Sequence, residues 1–144
     1  MATLITACSS SSTSAPTQAA YDKQANALCQ TYNAKLKAMG ATITSASSKQ
    51  QVASELAKAV TLAKQGSAQL KALAKPAGQS AGLDKVYADQ DAQVSQIQAF
   101  ASALQANDSA KAQSIENALN AGNGRLNQEF DALGLTACGS GSSS

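Results

Sequence analysis

The sequence predicts an all-α fold, an antiparallel up-down-up-down four-helix bundle, and three observations predict it. Alanine dominates, glutamine and serine are abundant, tryptophan is absent and aromatic residues make up 3% of the chain. Helix formers therefore outweigh the β-branched and aromatic residues that favour strands. Four stretches repeat apolar residues in steps of three and four, the period of one helix face. The breaks between them are short, which favours antiparallel neighbours. A length of 144 residues suits one domain.

The first helix is expected over 16–39, with a seam of Tyr21, Ala25, Leu28, Tyr32, Leu36 and Met39. Pro16 suits its first turn and Gly40 its C-terminal cap. A looser stretch follows from Gly40 to Thr44. The second helix is expected over 49–73, opened by a capping box of Ser48 and Gln51. Its seam runs Val52, Leu56, Ala59 or Val60, Ala63, Gly66, Leu70 and Leu73. Alanine and Gly66 in mid-seam predict a close neighbour. Pro76 blocks continuation, and "KPAGQSAG" (75–82) reads as a connection.

The third helix is expected over 82–106, with Leu83, Val86 or Tyr87, Gln90, Val94, Ile97, Phe100 or Ala101, and Leu104 along its seam. Asp84 falls in its first turn, where the helix dipole favours a carboxylate. The fourth is expected over 109–133, capped by Asp108, with Ile115, Leu119, Gly122, Leu126, Phe130 and Leu133 facing inward. Gly134 followed by Leu135 reads as a Schellman stop. The chain thus divides into 1–15, a truncated signal remnant and Ser-rich tether; 16–138, the bundle; and 139–144, "GSGSSS", a disordered tail.

Charge excludes one class of function. Only 14% of residues are charged, the net charge is +2, and the eleven Lys and Arg are spread along the chain. That is too little to argue for nucleic acid or an acidic membrane surface. No apolar run approaches the ~20 residues of a membrane-spanning helix. There is no histidine. The commonest general base and metal ligand are therefore missing, as is the usual haem ligand. Three cysteines without CxxC spacing make no zinc site. A Ser-His-Asp arrangement is impossible, and no GxxxxGK[ST] phosphate loop occurs. Asp89 and Asp91, two apart, do not share a helix face. The expectation is a protein that is not an enzyme and takes no cofactor or metal.

Ile5-Thr6-Ala7-Cys8 resembles a bacterial lipobox, with small residues beside the cysteine that receives the lipid. The serine-rich run from Ser9 to Ala15 then looks like a flexible tether, with a reach of roughly 15 Å. Two or more acyl chains make such an anchor stable. Only seven residues precede Cys8 and none is basic, short of what an export signal needs. The expectation is that the sequence begins inside a signal peptide and that Met1 is not the natural start.

Cys29 lies on the flank of the first helix's buried face, and Cys138 just beyond the fourth helix. In an exported protein such a pair forms a disulfide; in a cytosolic one the two are buried free thiols. A bridge requires the chain after Gly134 to turn back along the first helix. It matters because the core is thin: beyond residue 20 there are 25 larger apolar or aromatic side chains, with alanine filling the remainder.

"YDKQANALCQTY", "LKALAKPAG" and "LGLTACG" resemble small alanine-rich lipoproteins and secreted proteins of actinobacteria. The resemblance implies a lipid at Cys8, a Ser/Thr tether, one helical domain and a disulfide between Cys29 and Cys138. It implies an extracytoplasmic location, lipid-anchored at the membrane or secreted. The functional expectation is a cell-envelope binding or structural domain whose partner is an envelope protein or cell-wall component. The alternative is a carrier of a small apolar ligand between the helices, with Gln90, Tyr21, Tyr32 and Tyr87 lining a cavity. Otherwise Gln90 faces outward and the tyrosine hydroxyls sit in water. A carrier needs an interior space of a few hundred Å³; an interaction module is packed shut.

Overall fold

The computed structural model describes residues 14–143. They form four α-helices: α1 (Gln18–Gly40), α2 (Lys49–Ala72), α3 (Ser80–Gln105) and α4 (Ser109–Ala132). No strand occurs among the described residues. The fold is the expected antiparallel four-helix bundle, and a disulfide joins α1 to the C-terminal end. The leader segment up to residue 13, with Cys8, lies outside the described residues.

The helix ends follow local chemistry. Ser48 and Gln51 form the full capping box of α2. The Asp108 side chain accepts from Lys111 N at the start of α4. At the end of α4, Gly134 takes φ +81°, Leu135 N donates to Phe130 O, and Gly134 N donates to Asp131 O. That is the Schellman pattern, which only a residue at ease in the left-handed region closes cheaply.

Three boundaries differ from expectation. Pro16 precedes α1 rather than opening it, because Thr17 caps the helix through Ala20 N. Gly40 stays helical and Ala41 is the C-cap in a right-handed conformation, so the chain leaves α1 through successive turns. The third helix begins at Ser80, which moves Asp84 out of the first turn; Asp84 instead pairs with Lys75.

Paired residues fix the register. Lys71 with Asp91 and Lys64 with Gln98 (2.9 Å) join α2 to α3. Lys85 with Glu129 (2.9 Å) and Gln93 with Asn123 (3.3 Å) join α3 to α4. In each joint one number rises as the other falls, the mark of antiparallel neighbours. The cations scattered in sequence thus include Lys64 and Lys71 on α2 and Lys75 just beyond its end, which face the polar edge of α3. The α1–α2 contact centres on Gly66, which lies under the Tyr32 ring; a Cβ there would stand 3.0 Å from Tyr32 Cγ.

The fourth side of the bundle departs from a simple square. Helix α1 packs on α2, α2 on α3 and α3 on α4, but α1 and α4 make no close backbone approach. The C-terminal strap, residues 133–143, occupies the space between them. Where a disordered tail is expected, Ser140–Ser143 form a short 3₁₀ helix that contacts both α1 and α4.

The strap closes only one end, here called the proximal end: the start of α1, the end of α2, the start of α3 and the end of α4. The continuous core lies there, built from Tyr21, Ala25, Cys29, Leu70, Leu83, Val86, Tyr87, Leu126, Phe130, Leu135 and Ala137. At the distal end the same stripes continue as Leu36 and Met39, Ile97 and Leu104, and Leu119 and Ile115, all only half-buried. The residues fully buried there are chiefly small: Ala53, Ala101, Ala103 and Ala112, with Val60 and Val94 nearby.

Candidate functional site

The strap and its disulfide are the most constructed feature of the molecule. Asn26, Cys29 and Asn33 sit at steps of three and four on one stripe of α1. Asn26 Nδ2 donates to Gly134 O (3.0 Å), and its Oδ1 accepts from Ala137 N (2.9 Å). Asn33 Nδ2 donates to Ala137 O (2.7 Å). Between them Cys29 bonds Cys138, with 5.1 Å between the Cα atoms, inside the ordinary range for a disulfide. Leu135 is completely buried.

On its other side the strap is fitted to α4. Ser140 N donates to Asp131 Oδ1 (3.1 Å). A Cβ on Gly139 would stand 2.3 Å from that oxygen and 2.6 Å from Asn127 O. Glycine is therefore a steric requirement of the strap. Both cysteines were legible in the sequence as a pair. The two asparagines were not, although their spacing around Cys29 was the signal that could have found them.

Beneath the strap, Tyr21 and Tyr87 are each 1% exposed and their hydroxyls hydrogen-bond to one another. This corrects the expectation that they line a cavity or reach water. The pair satisfies two polar groups inside an apolar core, as buried tyrosines require. Phe130 packs against Tyr87 with ring centroids 6.2 Å apart. Burial pushes both phenols above their ordinary value, Tyr87 far above it, where the Tyr21 hydrogen bond adds to the shift. Both phenols therefore stay protonated at neutral pH.

The carboxylates are engaged in structure. Burial alone would raise the Asp91 carboxyl, but the Lys71 ammonium and the Ser67 hydroxyl (2.7 Å), which is itself buried, outweigh it and hold it below its usual value. Lys85 bridges Asp89 (2.7 Å) and Glu129 across α3 and α4. Its hydrogen bond lowers Asp89, and the two carboxylates raise Lys85. Asp89 and Asp91 thus serve opposite sides of α3. Among the described residues no group of three or more Cys, Asp or Glu could hold a metal ion.

Space is distributed unevenly. A groove of about 450 Å³ runs on the surface between α1 and the strap, past Gln30, Asn33, Lys37 and Thr136. A second, of about 270 Å³, lies over Ala92, Ala118, Ala121 and Gly122 between α3 and α4. A cavity of about 60 Å³ sits between α1, α2 and α3, walled by Cys29, Cys138, Tyr32, Leu36, Gly66 and Gln90 among others. Gln90 and Tyr32 therefore do border this small cavity, whereas Tyr21 and Tyr87 are not among its walls.

No family model, no curated protein and no solved structure matches the chain.

Proposed function

We propose that this chain is a non-enzymatic helical module of the cell envelope, tethered through a lipid on Cys8, that binds an envelope protein or cell-wall component. The observation that carries this reading is the Cys29–Cys138 disulfide, built into a strap with its own clamp of asparagines. Disulfides of this structural kind belong to oxidising compartments outside the cytoplasm. No helix among the described residues is long and apolar enough to cross a membrane, so in this reading retention at the membrane falls to the lipid. The resemblance of "ITAC" and the serine run to a lipobox and tether supplies that anchor.

Two further features favour a binding module over a carrier of apolar ligands. The cavity between α1, α2 and α3 is about 60 Å³, far below the few hundred Å³ that a carrier needs. The larger hollows are surface grooves between neighbouring elements.

The test uses the natural reading frame, including whatever precedes Met1, in its own host fed labelled fatty acid. The expected result is label on the wild type, none on Cys8→Ala, and release of the variant from the membrane fraction. Thiol trapping before lysis is expected to find Cys29 and Cys138 oxidised. Equal label in both forms overturns the lipid anchor. Free thiols at both positions in the intact cell overturn the envelope location itself.

A further inference from the structure

Gln90 occupies an interior seam position of α3, between Tyr87 and Val94, where an apolar residue would pack. Its Oε1 is shielded from solvent and has no hydrogen-bond partner in the protein. A buried carbonyl left unpaired is costly, and folded proteins keep very few. Gln90 also borders the 60 Å³ cavity behind the disulfide.

The polar groups on that cavity wall select the chemistry of an occupant. Asn33 spends its Nδ2 on Ala137 O, which leaves its Oδ1. Ser67 spends its proton on Asp91, which leaves oxygen lone pairs. With Gln90 Oε1 the wall offers three acceptors, while the Gln90 amide and the Tyr32 hydroxyl carry donors, so it suits a small molecule that both donates and accepts. Its size admits one to a few waters and no drug-sized molecule. The remaining walls, Leu36, Gly66 and the disulfide, are apolar and fix the outline.

We propose that this partly open cavity is a specific hydration site, in which an ordered water donates to Gln90 Oε1 and to a second acceptor on Asn33 or Ser67. The water completes the hydrogen bonding of α3 at the level where α1, α2 and the disulfide meet. This goes beyond the binding-module reading and does not depend on it.

A high-resolution crystal structure of the wild-type protein, grown without ammonium or amines, tests it directly. The expected result is a solvent peak about 2.5–3.0 Å from Gln90 Oε1. Oxygen-17 relaxation dispersion in solution is expected to show a long-lived water that Gln90→Leu loses while its helical circular dichroism stays unchanged. An empty cavity, a Gln90 side chain swung into bulk solvent, or a dispersion amplitude equal in both proteins overturns the proposal. Ammonium shares the donor chemistry; a slowly exchanging signal from added nitrogen-15 ammonium would assign the site to that ion and also overturn it. The crystallographic arm needs no variant and stands if Gln90→Leu fails to fold.

Discussion

The proximal and distal ends of this bundle are made from the same four helices and the same apolar stripes, yet they pack differently. Proximally, Tyr21, Leu83, Tyr87, Phe130 and Leu135 are fully buried. Distally, Leu36, Met39, Ile97, Leu104, Ile115 and Leu119 hold equivalent helical positions and remain half-buried. Periodicity is common to both ends, so periodicity is not what seals the core. The strap is the difference. It fills the gap between α1 and α4 at one end, whereas the connections at the other, residues 41–48 and 106–108, bury no side chain. The lesson is that binary patterning orients a helix, while a fourth wall decides how much of its apolar face leaves water.

Removing the strap's covalent hold should blur this contrast most. The disulfide closes a loop of 109 residues in sequence separation, and a loop of that length is worth up to about 4.7 kcal/mol in the chain-entropy account. The double variant Cys29→Ser with Cys138→Ser is expected to lose a large part of that in urea unfolding. Hydrogen exchange should accelerate in the strap and in α1 before α3.

Truncation along a single helix compares the ends directly. Phe130→Ala should cost about 3–5 kcal/mol, the range for a buried aromatic. Leu119→Ala, on the same stripe of α4, should cost on the order of 1 kcal/mol because much of that side chain is already in water. Equal losses in denaturant titrations would remove the distinction.

Gly139→Ala tests how closely the strap is fitted. Its Cβ would meet Asp131 Oδ1 and the Asn127 carbonyl, so overpacking of about 1–3 kcal/mol is expected. Thermal melts would show it as a drop in midpoint.

The tyrosine pair gives the proximal end its own pH dependence. Tyr87 is raised in the folded state, while an unfolded tyrosine titrates near 10. Its contribution is therefore whole below about pH 10 and falls as the unfolded state ionises above that. The expected slope is about −1.4 kcal/mol per pH unit for this residue. Melting across pH 8–11 should show an alkaline decline that Tyr87→Phe makes shallower.

The smallest effect should have the opposite sign. A Cβ at Gly122 meets nothing within 4 Å, so Gly122→Ala in α4 should stabilise by about 0.5–1 kcal/mol through helix propensity. Gly66→Ala, which pushes on the Tyr32 ring, should not.

What the sequence revealed follows from the range of each interaction. The capping box at Ser48, the Asp108 cap, the Gly134 stop and the four seams all depend on residues within a few positions of one another. The Cys29–Cys138 pair was legible because chemistry restricts what two cysteines can do. The turn of residues 134–138 back along α1 was implied by that pair, but the placement of 139–143 was not, since the polar run "GSGSSS" carries no periodicity and its place is set by α1 and α4 together. The start of α3 was missed because Gln79 offers no side-chain cap and Asp84 made a later start look better. Tyr21 and Tyr87 lie 66 residues apart, and no local pattern announces that their hydroxyls meet. Gly122, placed on the inward seam of the fourth helix, faces open space.

The covalent loop has a mechanical corollary. A pull applied between the two chain ends enters at α1, crosses from Cys29 to Cys138 through sulfur, and leaves by the last few residues. The positions between the two cysteines, spanning a sequence separation of 109, carry none of the load. The fully stretched contour would fall from roughly 490 Å to about 120 Å, so α2, α3, α4 and the last part of α1 would stay slack while the flanking segments drew taut.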